Sequence, residues 1–344
     1  MIVRSKAPLR LGLAGGGTDI AVYYDLYGGY VLNATIDLYA HCTIETETSG
    51  HISFNAVDIG IQEEYDSLPF LERSEFLPLH VGVYNRIVSD YCEGRALSFR
   101  MTTFSDAPAG SGLGSSSTMV VAMIKAFVEW LNLPLGEYDI ADLAYRVERV
   151  DLGMAGGKQD QYAATFGGLN FMEFFEGEKV IVNPLRLKRW IRNELEDSLI
   201  LYYTGVSRES ANIIDEQIEH AKQGKNKNVE GMHKMKRQAI LMKESLLKGD
   251  FKSFSRCLFN GWQAKKTAAS SITNSFLDAL YDYAIANGAE SAKISGAGGG
   301  GFMMIYCNPC KRFELTQALK ERGGLVLPVS FTETGTQAWT IYRT

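Results

Sequence analysis

The sequence predicts an α+β protein of two domains, and three observations support this fold class. The chain has 344 residues, whereas a single domain usually has about 100–200. Its first hundred residues carry the apolar patterns of strands, and long helical patterns follow at residues 116–131 and 137–152. From about residue 185 the pattern changes to several helices and then to alternating strands and helix. We therefore expect one domain over residues 1–184 and a second over residues 185–344.

The elements of the first domain follow from the local spacing of apolar side chains. A helix is expected at residues 80–91, where apolar side chains recur every three or four positions. A loop with Pro134 and Gly136 separates the two long helices. The expected strands, which are rich in apolar residues or alternate them with polar ones, are residues 2–14, 39–48, 97–104 and 169–175.

The second domain opens with a charged stretch at residues 190–197 and a strand at residues 199–203. Helices are expected where apolar side chains recur at helical spacing: residues 208–222, 229–248, 251–266, 275–286 and 311–322. Short apolar strands alternate with the last of these helices: residues 292–294, 302–307, 325–331 and 337–342.

The composition excludes several classes of protein. Apolar residues make up 46% and charged residues 22% of the chain, which is ordinary for a globular protein and rules out a disordered one. With 35 basic and 40 acidic residues the net charge is −5, so we expect no nucleic-acid partner. The most apolar stretch, residues 119–131, carries two charges and is too short to cross a membrane. Five thinly spread cysteines and no signal-peptide pattern favour a reducing cytoplasm.

Glycine is the unusual residue, with 34 copies, or about 10% of the chain where about 7% is usual. Three clusters stand out, at residues 12–17, 110–114 and 296–301, and each lies at a junction between expected elements. Residues without a Cβ leave backbone N–H groups bare, so three such loops indicate close approach of the backbone to a ligand.

The second glycine cluster leads directly into the expected helix at residues 116–131. Backbone N–H groups and the positive end of the helix converge there, which is an anion site, with phosphate as the favoured anion. Three serines, at positions 115–117, follow the glycines. They are either simple helix caps or hydroxyl ligands for a phosphate-bound Mg²⁺.

Two familiar glycine motifs are excluded. No lysine follows Gly114, so the second cluster is not a Walker A loop. The third cluster fits Gly-x-Gly-x-x-Gly from Gly296 to Gly301, but a strand follows it where a dinucleotide-binding fold requires a helix. A glycine loop between two strands instead suits a wall against a substrate or phosphate.

Three acids occur within fifteen residues: Glu148, Asp151 and Asp160. Glu148 and Asp151 are neighbours on one helix, whereas a glycine break separates Asp160 from them. Phosphoryl transfer needs one carboxylate for Mg²⁺ and another to orient or deprotonate the attacking hydroxyl. The alternative is a surface ion-pair patch with the flanking Arg146 and Arg149.

Three motifs in order resemble those of the GHMP small-molecule kinases. Residues 108–118 match their Pro-x-Gly-x-Gly-Leu-Gly-Ser-Ser motif, residues 6–19 stand at the first motif and residues 293–301 at the third. The resemblance implies a two-domain fold: an N-terminal ATP-binding domain with a mixed sheet and helices, and a C-terminal ferredoxin-like α/β domain. It also implies ATP and Mg²⁺ as cofactors and a small-molecule sugar as the partner.

The resemblance assigns roles to individual residues. Asp160 would orient the acceptor hydroxyl with Arg10 beside it, and Ser116 and Glu148 would bind Mg²⁺. The ATP phosphates would lie in the loop formed by Pro108, Gly110, Ser111, Gly112, Leu113, Gly114, Ser115 and Ser116. The acceptor would contact Gly16, Gly17, Thr18, Asp19, Gly298 and Gly299.

One departure from the family bears on the acceptor. Galactokinases have Gly-Glu-His-Thr-Asp where this chain has three glycines, Thr18 and Asp19, which argues against galactose. This form resembles the D-glycero-D-manno-heptose 7-phosphate kinases of the family, which phosphorylate the anomeric oxygen to give the 1,7-bisphosphate. Lys158 and Arg208 are then candidates for the phosphate already on the acceptor, or else surface charges. The alternatives are a kinase of a free sugar such as fucose or galactose, and a sugar or ATP sensor without turnover.

Overall fold

A computed structural model describes residues 1–205, 210–222 and 226–342. Two β-sheets with helices packed against them form the molecule, which confirms the expected α+β class. The strands are β1 Ile2–Ala14, β2 Gly29–Thr46, β3 His51–Ala56, β4 Ile61–Asp66, β5 Phe99–Ser105, β6 Leu169–Phe174, β7 Val180–Pro184, β8 Leu199–Tyr203, β9 Ala289–Ile294, β10 Phe302–Cys307, β11 Leu325–Pro328 and β12 Gln337–Ile341. The helices are α1 Ala21–Tyr27, α2 Pro78–Tyr91, α3 Ser115–Leu131, α4 Glu137–Arg146, α5 Gln159–Phe166, α6 Arg189–Ser198, α7 Ser210–Lys222, α8 Asn226–Lys248, α9 Phe251–Lys266, α10 Ser275–Ala286 and α11 Arg312–Glu321.

The first sheet is mixed, as expected. Its strands follow the order β12-β1-β2-β5-β3-β4, and β6 and β7 extend from the other half of β2. All neighbours are antiparallel except β3 and β5. Helix α3 is buried along most of its length, because Val120, Val121, Ile124, Phe127 and their neighbours are apolar around the whole helix. This packing fixes the N-terminus of α3 beside the end of β1.

The second sheet has the antiparallel order β11-β8-β10-β9. With helices between β8 and β9 and α11 between β10 and β11, this is the ferredoxin-like arrangement that the resemblance implied. The charged stretch at residues 190–197 is part of helix α6, because Ile191 and Leu195 are one turn apart and both are buried.

One apolar core joins the two sheets. It contains Leu9 and Leu11 of β1, Met242 of α8, Phe254 of α9 and Phe302 of β10. After the second sheet the chain returns to the first, where β12 pairs with β1. The boundary at residue 184 stays a prediction. No helix in the described part of the chain is long and apolar enough to cross a membrane.

Candidate active site

A cleft with a volume of about 650 Å³ lies where the two sheets meet. It is bounded by the end of β1 and the first glycine cluster, the start of α3, the start of α5, and residues from α7 and α9. Of the residues selected from the sequence, the cleft is lined by Arg10, Gly16, Gly17, Asp19, Gly110, Ser111, Gly112, Gly114, Ser115, Ser116, Glu148 and Asp160.

Arg10 and Asp160 form an ion pair at the floor of the cleft. Nε of Arg10 donates to Oδ1 of Asp160 at 2.7 Å and Nη2 donates to Oδ2 at 2.8 Å. The third arm, Nη1, donates to the carbonyl of Gly112 at 2.6 Å. Arg10 is 3% exposed, so the buried guanidinium sets the orientation of the carboxylate against the glycine loop. A hydroxyl bound beside Asp160 would meet a carboxylate that is already oriented.

The second and third glycine clusters pack against each other. A Cβ on Gly112 would lie 2.6 Å from the carbonyl oxygen of Ser295, and one on Gly296 would lie 2.8 Å from Cα of Gly112. The third cluster therefore supports the second one, and only Gly296 and Ala297 of it line the cleft. Gly298 and Gly299, expected at the acceptor, pack instead on the loop before α10, where Gly299 N–H donates to the Ile272 carbonyl at 2.8 Å.

The start of α3 leaves its N–H groups open toward the cleft. The residue before the helix is Gly114, in the left-handed conformation with φ of 80°, and no side chain caps the helix. The serines are thus not helix caps. Ser111 and Ser115 hydroxyls hydrogen-bond each other at 2.9 Å, and Ser115, Ser116 and Ser117 all line the cleft. Free N–H groups at a positive helix end bind anions such as phosphate.

Glu148 lies in a π-helical turn, Val147–Asp151, that interrupts the expected helix after α4. Such turns often occur at functional sites because they redirect a side chain. The carboxylate is buried, accepts a hydrogen bond from the Gln161 amide, and is 3.6 Å from Nη1 of Arg149. Burial raises the pKa of Glu148, and Arg149 and the hydrogen bonds from Ser117 and Gln161 oppose that rise.

The hydroxyl beside Glu148 is that of Ser117, not Ser116. Ser117 Oγ accepts from Gln161 Nε2 at 3.2 Å, and that same amide donates to Glu148. Ser116, the expected Mg²⁺ ligand, is exposed and lies one helical step away. The sequence pointed to all three serines and, through the resemblance, to Ser116; the rotation of the helix decides which of them faces the acid.

Asp19 is buried and held by three donors. Oδ1 accepts from Gly17 N–H at 2.9 Å and from Gln159 Nε2 at 3.1 Å, and Oδ2 accepts from Gln159 N–H at 3.1 Å. Gly157 makes this possible, because a Cβ there would lie 1.9 Å from Oδ2. Burial raises the pKa of Asp19, and the nearby Asp160 raises it further. Gln159 and Gln161 flank Asp160 in the sequence, and this Gln-Asp-Gln run is a signal that could have indicated both.

Lys158, a sequence candidate for the acceptor phosphate, does not line the cleft. The side chain is 2% exposed and its ammonium lies over the rings of Tyr24 and Tyr145, at 5.2 and 4.9 Å from their centroids. It donates to the carbonyl of Gly177 at 3.3 Å. Burial lowers the pKa of Lys158. The other candidate, Arg208, lies outside the described residues.

Three further residues from the motifs have structural contacts instead of a place in the cleft lining. Thr18 is fully buried, and its hydroxyl donates to the carbonyls of Gly15 and Tyr30. Leu113 is fully buried in the apolar core, and its carbonyl accepts from Arg10 N–H at 3.0 Å. Pro108 is exposed at the start of the loop, and its carbonyl accepts from Ser111 N–H at 3.1 Å.

Lys265 is a cleft residue that no motif indicated. It lies on α9, is 5% exposed, and its ammonium donates to the Gly296 carbonyl. Burial and the positive charge of Arg10 lower the pKa of Lys265 to about 8, although Asp19 and Asp160 oppose this. A lysine that titrates near neutral pH is thus close to both cleft aspartates.

A second, mostly apolar cavity of about 260 Å³ adjoins the cleft at Gly110, Ser115 and Ser116. Its walls come from the β3–β4 turn, the segment before α2, and helices α2 and α3: Ile59, Phe76, Leu77, Leu79, His80 and Met119. His80 Nε2 hydrogen-bonds the Thr103 hydroxyl at 2.9 Å, and burial lowers the pKa of His80 to about 4, so the ring is neutral at pH 7. The cavity is suited to a flat apolar group.

Comparison with known proteins gives consistent matches. Residues 79–168 match the family described as GHMP kinases N terminal domain, and residues 242–324 match GHMP kinases C terminal. A D-glycero-alpha-D-manno-heptose 7-phosphate kinase of Campylobacter jejuni is 51% identical over 339 residues, 98% of this chain and 99% of the relative. A crystal structure of a D-glycero-D-manno-heptose 1-phosphate kinase from Bacteroides thetaiotaomicron has a TM-score of 0.85 at 48% identity and covers 99% of this chain and 100% of that one. An L-fucokinase/L-fucose-1-P guanylyltransferase of Bacteroides fragilis is 26% identical over 344 residues, 93% of this chain and 36% of the relative.

Proposed function

Because the chain belongs to the GHMP kinase family, we propose that it transfers the terminal phosphoryl group of ATP to the anomeric hydroxyl of D-glycero-D-manno-heptose 7-phosphate. The product is the 1,7-bisphosphate. Support for the acceptor comes from the name of the relative at 51% identity and from the glycines at positions 16 and 17, which leave room beside Asp19.

The observation that carries the proposal is the Arg10–Asp160 pair facing the start of α3. The acceptor hydroxyl donates its hydrogen bond to Asp160 and attacks the terminal phosphorus of ATP. The new O–P bond forms as the bond to the β-phosphate oxygen breaks, ADP leaves, and the hydroxyl proton passes to Asp160 or to water. Alignment and charge stabilisation supply most of the rate in such transfers.

The α3 N-terminus and the glycine loop supply the phosphate site. Bare N–H groups of Ser115, Ser116 and Ser117 at the helix start stabilise the negative charge on the phosphates. The adjoining apolar cavity is our candidate for the adenine base, with His80 as its polar contact. One molecule of ATP would thus extend from the cleft, which it shares with the acceptor, into the adjoining cavity.

The residues around Glu148 fit Mg²⁺ by their chemistry. One carboxylate and a serine hydroxyl are hard oxygen donors, and Mg²⁺ is usually held by one or two carboxylates together with the substrate phosphates. We propose Glu148 and Ser117 as the protein ligands, with Ser116 one position away. Mg²⁺, when bound, neutralises charge on the β- and γ-phosphates.

The acceptor site combines Asp19, Gly16 and Gly17 with a cation for the 7-phosphate. Asp19 accepts one hydrogen bond from a sugar hydroxyl, because its three protein donors leave about one lone-pair position open. Arg208, which lies outside the described residues, stays a prediction for the contact with the 7-phosphate. Lys265, which lines the cleft, is the alternative.

A coupled assay of ADP release tests the proposal. Heptose 7-phosphate, heptose 1-phosphate, fucose and galactose are compared as acceptors at equal concentration. We expect turnover with heptose 7-phosphate at least about a hundredfold faster than with either hexose. A preference for a free hexose would make the chain a free-sugar kinase, and binding of ATP and sugar by calorimetry without product would make it a sensor.

A further inference from the structure

We infer that Gln217 donates its side-chain amide to a hydroxyl oxygen of the acceptor sugar and so selects the acceptor. The inference rests on the proposed function and adds a residue to the acceptor site. Gln217 is in α7, outside the three glycine motifs and far along the chain from Asp19.

The first observation is an unpaired donor. Gln217 is 5% exposed and lines the cleft, yet its Nε2 has no hydrogen-bond partner among the described residues. A buried donor without a partner is costly, so most such groups in proteins are paired. An amide kept unpaired at the wall of a ligand cleft is a donor that a ligand can complete.

The second observation is position. Oε1 of Gln217 lies 3.6 Å from where a Cβ on Gly17 would be, and Cε of Met235 lies 3.7 Å from the same point. The amide therefore lies over the first glycine loop, next to the residue whose N–H fixes Asp19. Gln217 is absent from the lining of the apolar cavity, so it belongs to the acceptor end of the cleft and not to the base end.

The third observation is that the helix holds this side chain in place. Ile213, one turn before Gln217, is 2% exposed and packs in the core of the second domain. Glu216 accepts a hydrogen bond from the Ser271 hydroxyl, which ties α7 to the loop before α10. A donor on an anchored helix can discriminate between acceptors, because it does not follow a misplaced hydroxyl.

The chemistry complements Asp19. An ionised carboxylate only accepts hydrogen bonds, and three of its roughly four lone-pair positions are already used at Asp19. A sugar hydroxyl has one proton to give and two lone pairs to fill. A neutral amide fills such a lone pair, whereas a phosphate group is better matched by a charged donor. The ligand atom assigned to Gln217 is therefore a hydroxyl oxygen and not the 7-phosphate.

The test compares Gln217→Met with Gln238→Met. Methionine keeps the length of the side chain and removes the donor. Gln238 is a half-buried glutamine on α8 that does not line the cleft, so it controls for the same change elsewhere. For each protein we would measure Tm without ligand, and kcat and KM for heptose 7-phosphate and for ATP.

Gln217→Met is expected to raise the KM for heptose 7-phosphate about five- to tenfold, as loss of one hydrogen bond does. The KM for ATP should change less than about twofold, and Tm should stay equal or rise because an unpaired buried amide has been removed. Gln238→Met should change neither KM. An unchanged acceptor KM overturns the inference, and so does a rise in both KM values with a lower Tm, which indicates a structural role.

Wild-type turnover separates this inference from the proposed function. If the wild type phosphorylates a free hexose instead of heptose 7-phosphate, the proposed acceptor is wrong, and the same comparison with that hexose tests Gln217 alone. If no sugar is phosphorylated or bound, both are overturned.

Discussion

Arg10 holds Asp160 through two parallel hydrogen bonds of 2.7 and 2.8 Å, although the two residues are 150 positions apart in the chain. The pair fixes one carboxylate against the glycine loop and the start of α3, where an anion would bind. Replacing Asp160 by asparagine removes the charge and one acceptor oxygen but keeps the size. We predict that Asp160→Asn lowers kcat about 10²- to 10⁴-fold with little change in the KM for ATP, measured by the coupled assay.

Asp151→Asn is the matched control, because Asp151 forms an ion pair with Arg86 outside the cleft lining. It should retain near wild-type kcat. Full turnover by Asp160→Asn would remove the role assigned to Asp160.

Glu148 should make stability depend on pH. Burial raises its pKa above the ordinary 4.5, so the folded protein keeps this proton at a pH where the unfolded chain has lost it. As the pH rises from about 4.5 through the raised pKa, Glu148 therefore lowers the free energy of unfolding. Glu148→Gln lacks this effect and should gain stability relative to wild type over the same interval.

Urea denaturation of both proteins at a series of pH values measures this difference. Glu148→Gln should also need more Mg²⁺ for half-maximal rate, since it loses the carboxylate. Identical pH profiles for the two proteins would contradict the buried, raised-pKa description of Glu148.

Lys265 should set an alkaline limit to activity. Its pKa of about 8 means that the ammonium loses its charge, and with it the attraction for phosphate oxygens, as the pH rises through that value. We predict that kcat/KM for the acceptor falls above about pH 8 in the wild type. Lys265→Arg should move this fall to higher pH. Lys265→Met should lower kcat/KM about tenfold at about pH 7 and remove the fall at alkaline pH. The pH dependence of kcat/KM measures this, because it reports groups of the free enzyme.

Lys266→Met controls for the loss of a neighbouring lysine on the same helix, since Lys266 pairs with Asp278. It should leave the pH profile as in wild type. If Lys265→Met keeps the alkaline fall, another group is responsible for it.

Contact between the second and third glycine clusters should be a large contribution to stability. Gly112 has φ of 76°, and a Cβ there would meet the Ser295 carbonyl oxygen at 2.6 Å. Gly60 has φ of 67° but no atom within 4 Å of its Cβ position. Gly60→Ala should cost about 1 kcal/mol from backbone strain alone, and Gly112→Ala about 3 kcal/mol or more in chemical denaturation. Equal losses would show that the contact has no energetic role.

The sequence motifs predict most of the cleft residues. Arg10, Asp19, Glu148 and Asp160 lie in short segments whose residue types are determined by phosphate and hydroxyl chemistry, and the structure brings all four to one cleft. The spacing of apolar residues also predicts the main helices and strands, because burial of one face of an element imposes a period of about 3.6 or 2 residues.

Whether the other candidate residues reach the cleft depends on side-chain direction and tertiary packing, which the sequence motifs do not contain. Ser117 faces Glu148 in place of Ser116 because α3 begins after Gly114, and one residue turns the side chain by about 100°. Lys158 is two residues before Asp160, yet it points between two tyrosines. Lys265 and Gln217 come from helices of the second domain, and no local pattern distinguishes them from other helix residues.

The structure of the reaction product tests the proposed phosphoryl transfer most directly. Heptose 7-phosphate and ATP are incubated with the enzyme, and the product is examined by ³¹P–¹H correlation NMR. We expect a new phosphorus signal that is coupled to the anomeric proton and that forms about 10²- to 10⁴-fold more slowly with Asp160→Asn. A new phosphate on any other carbon, or release of inorganic phosphate alone, would contradict it.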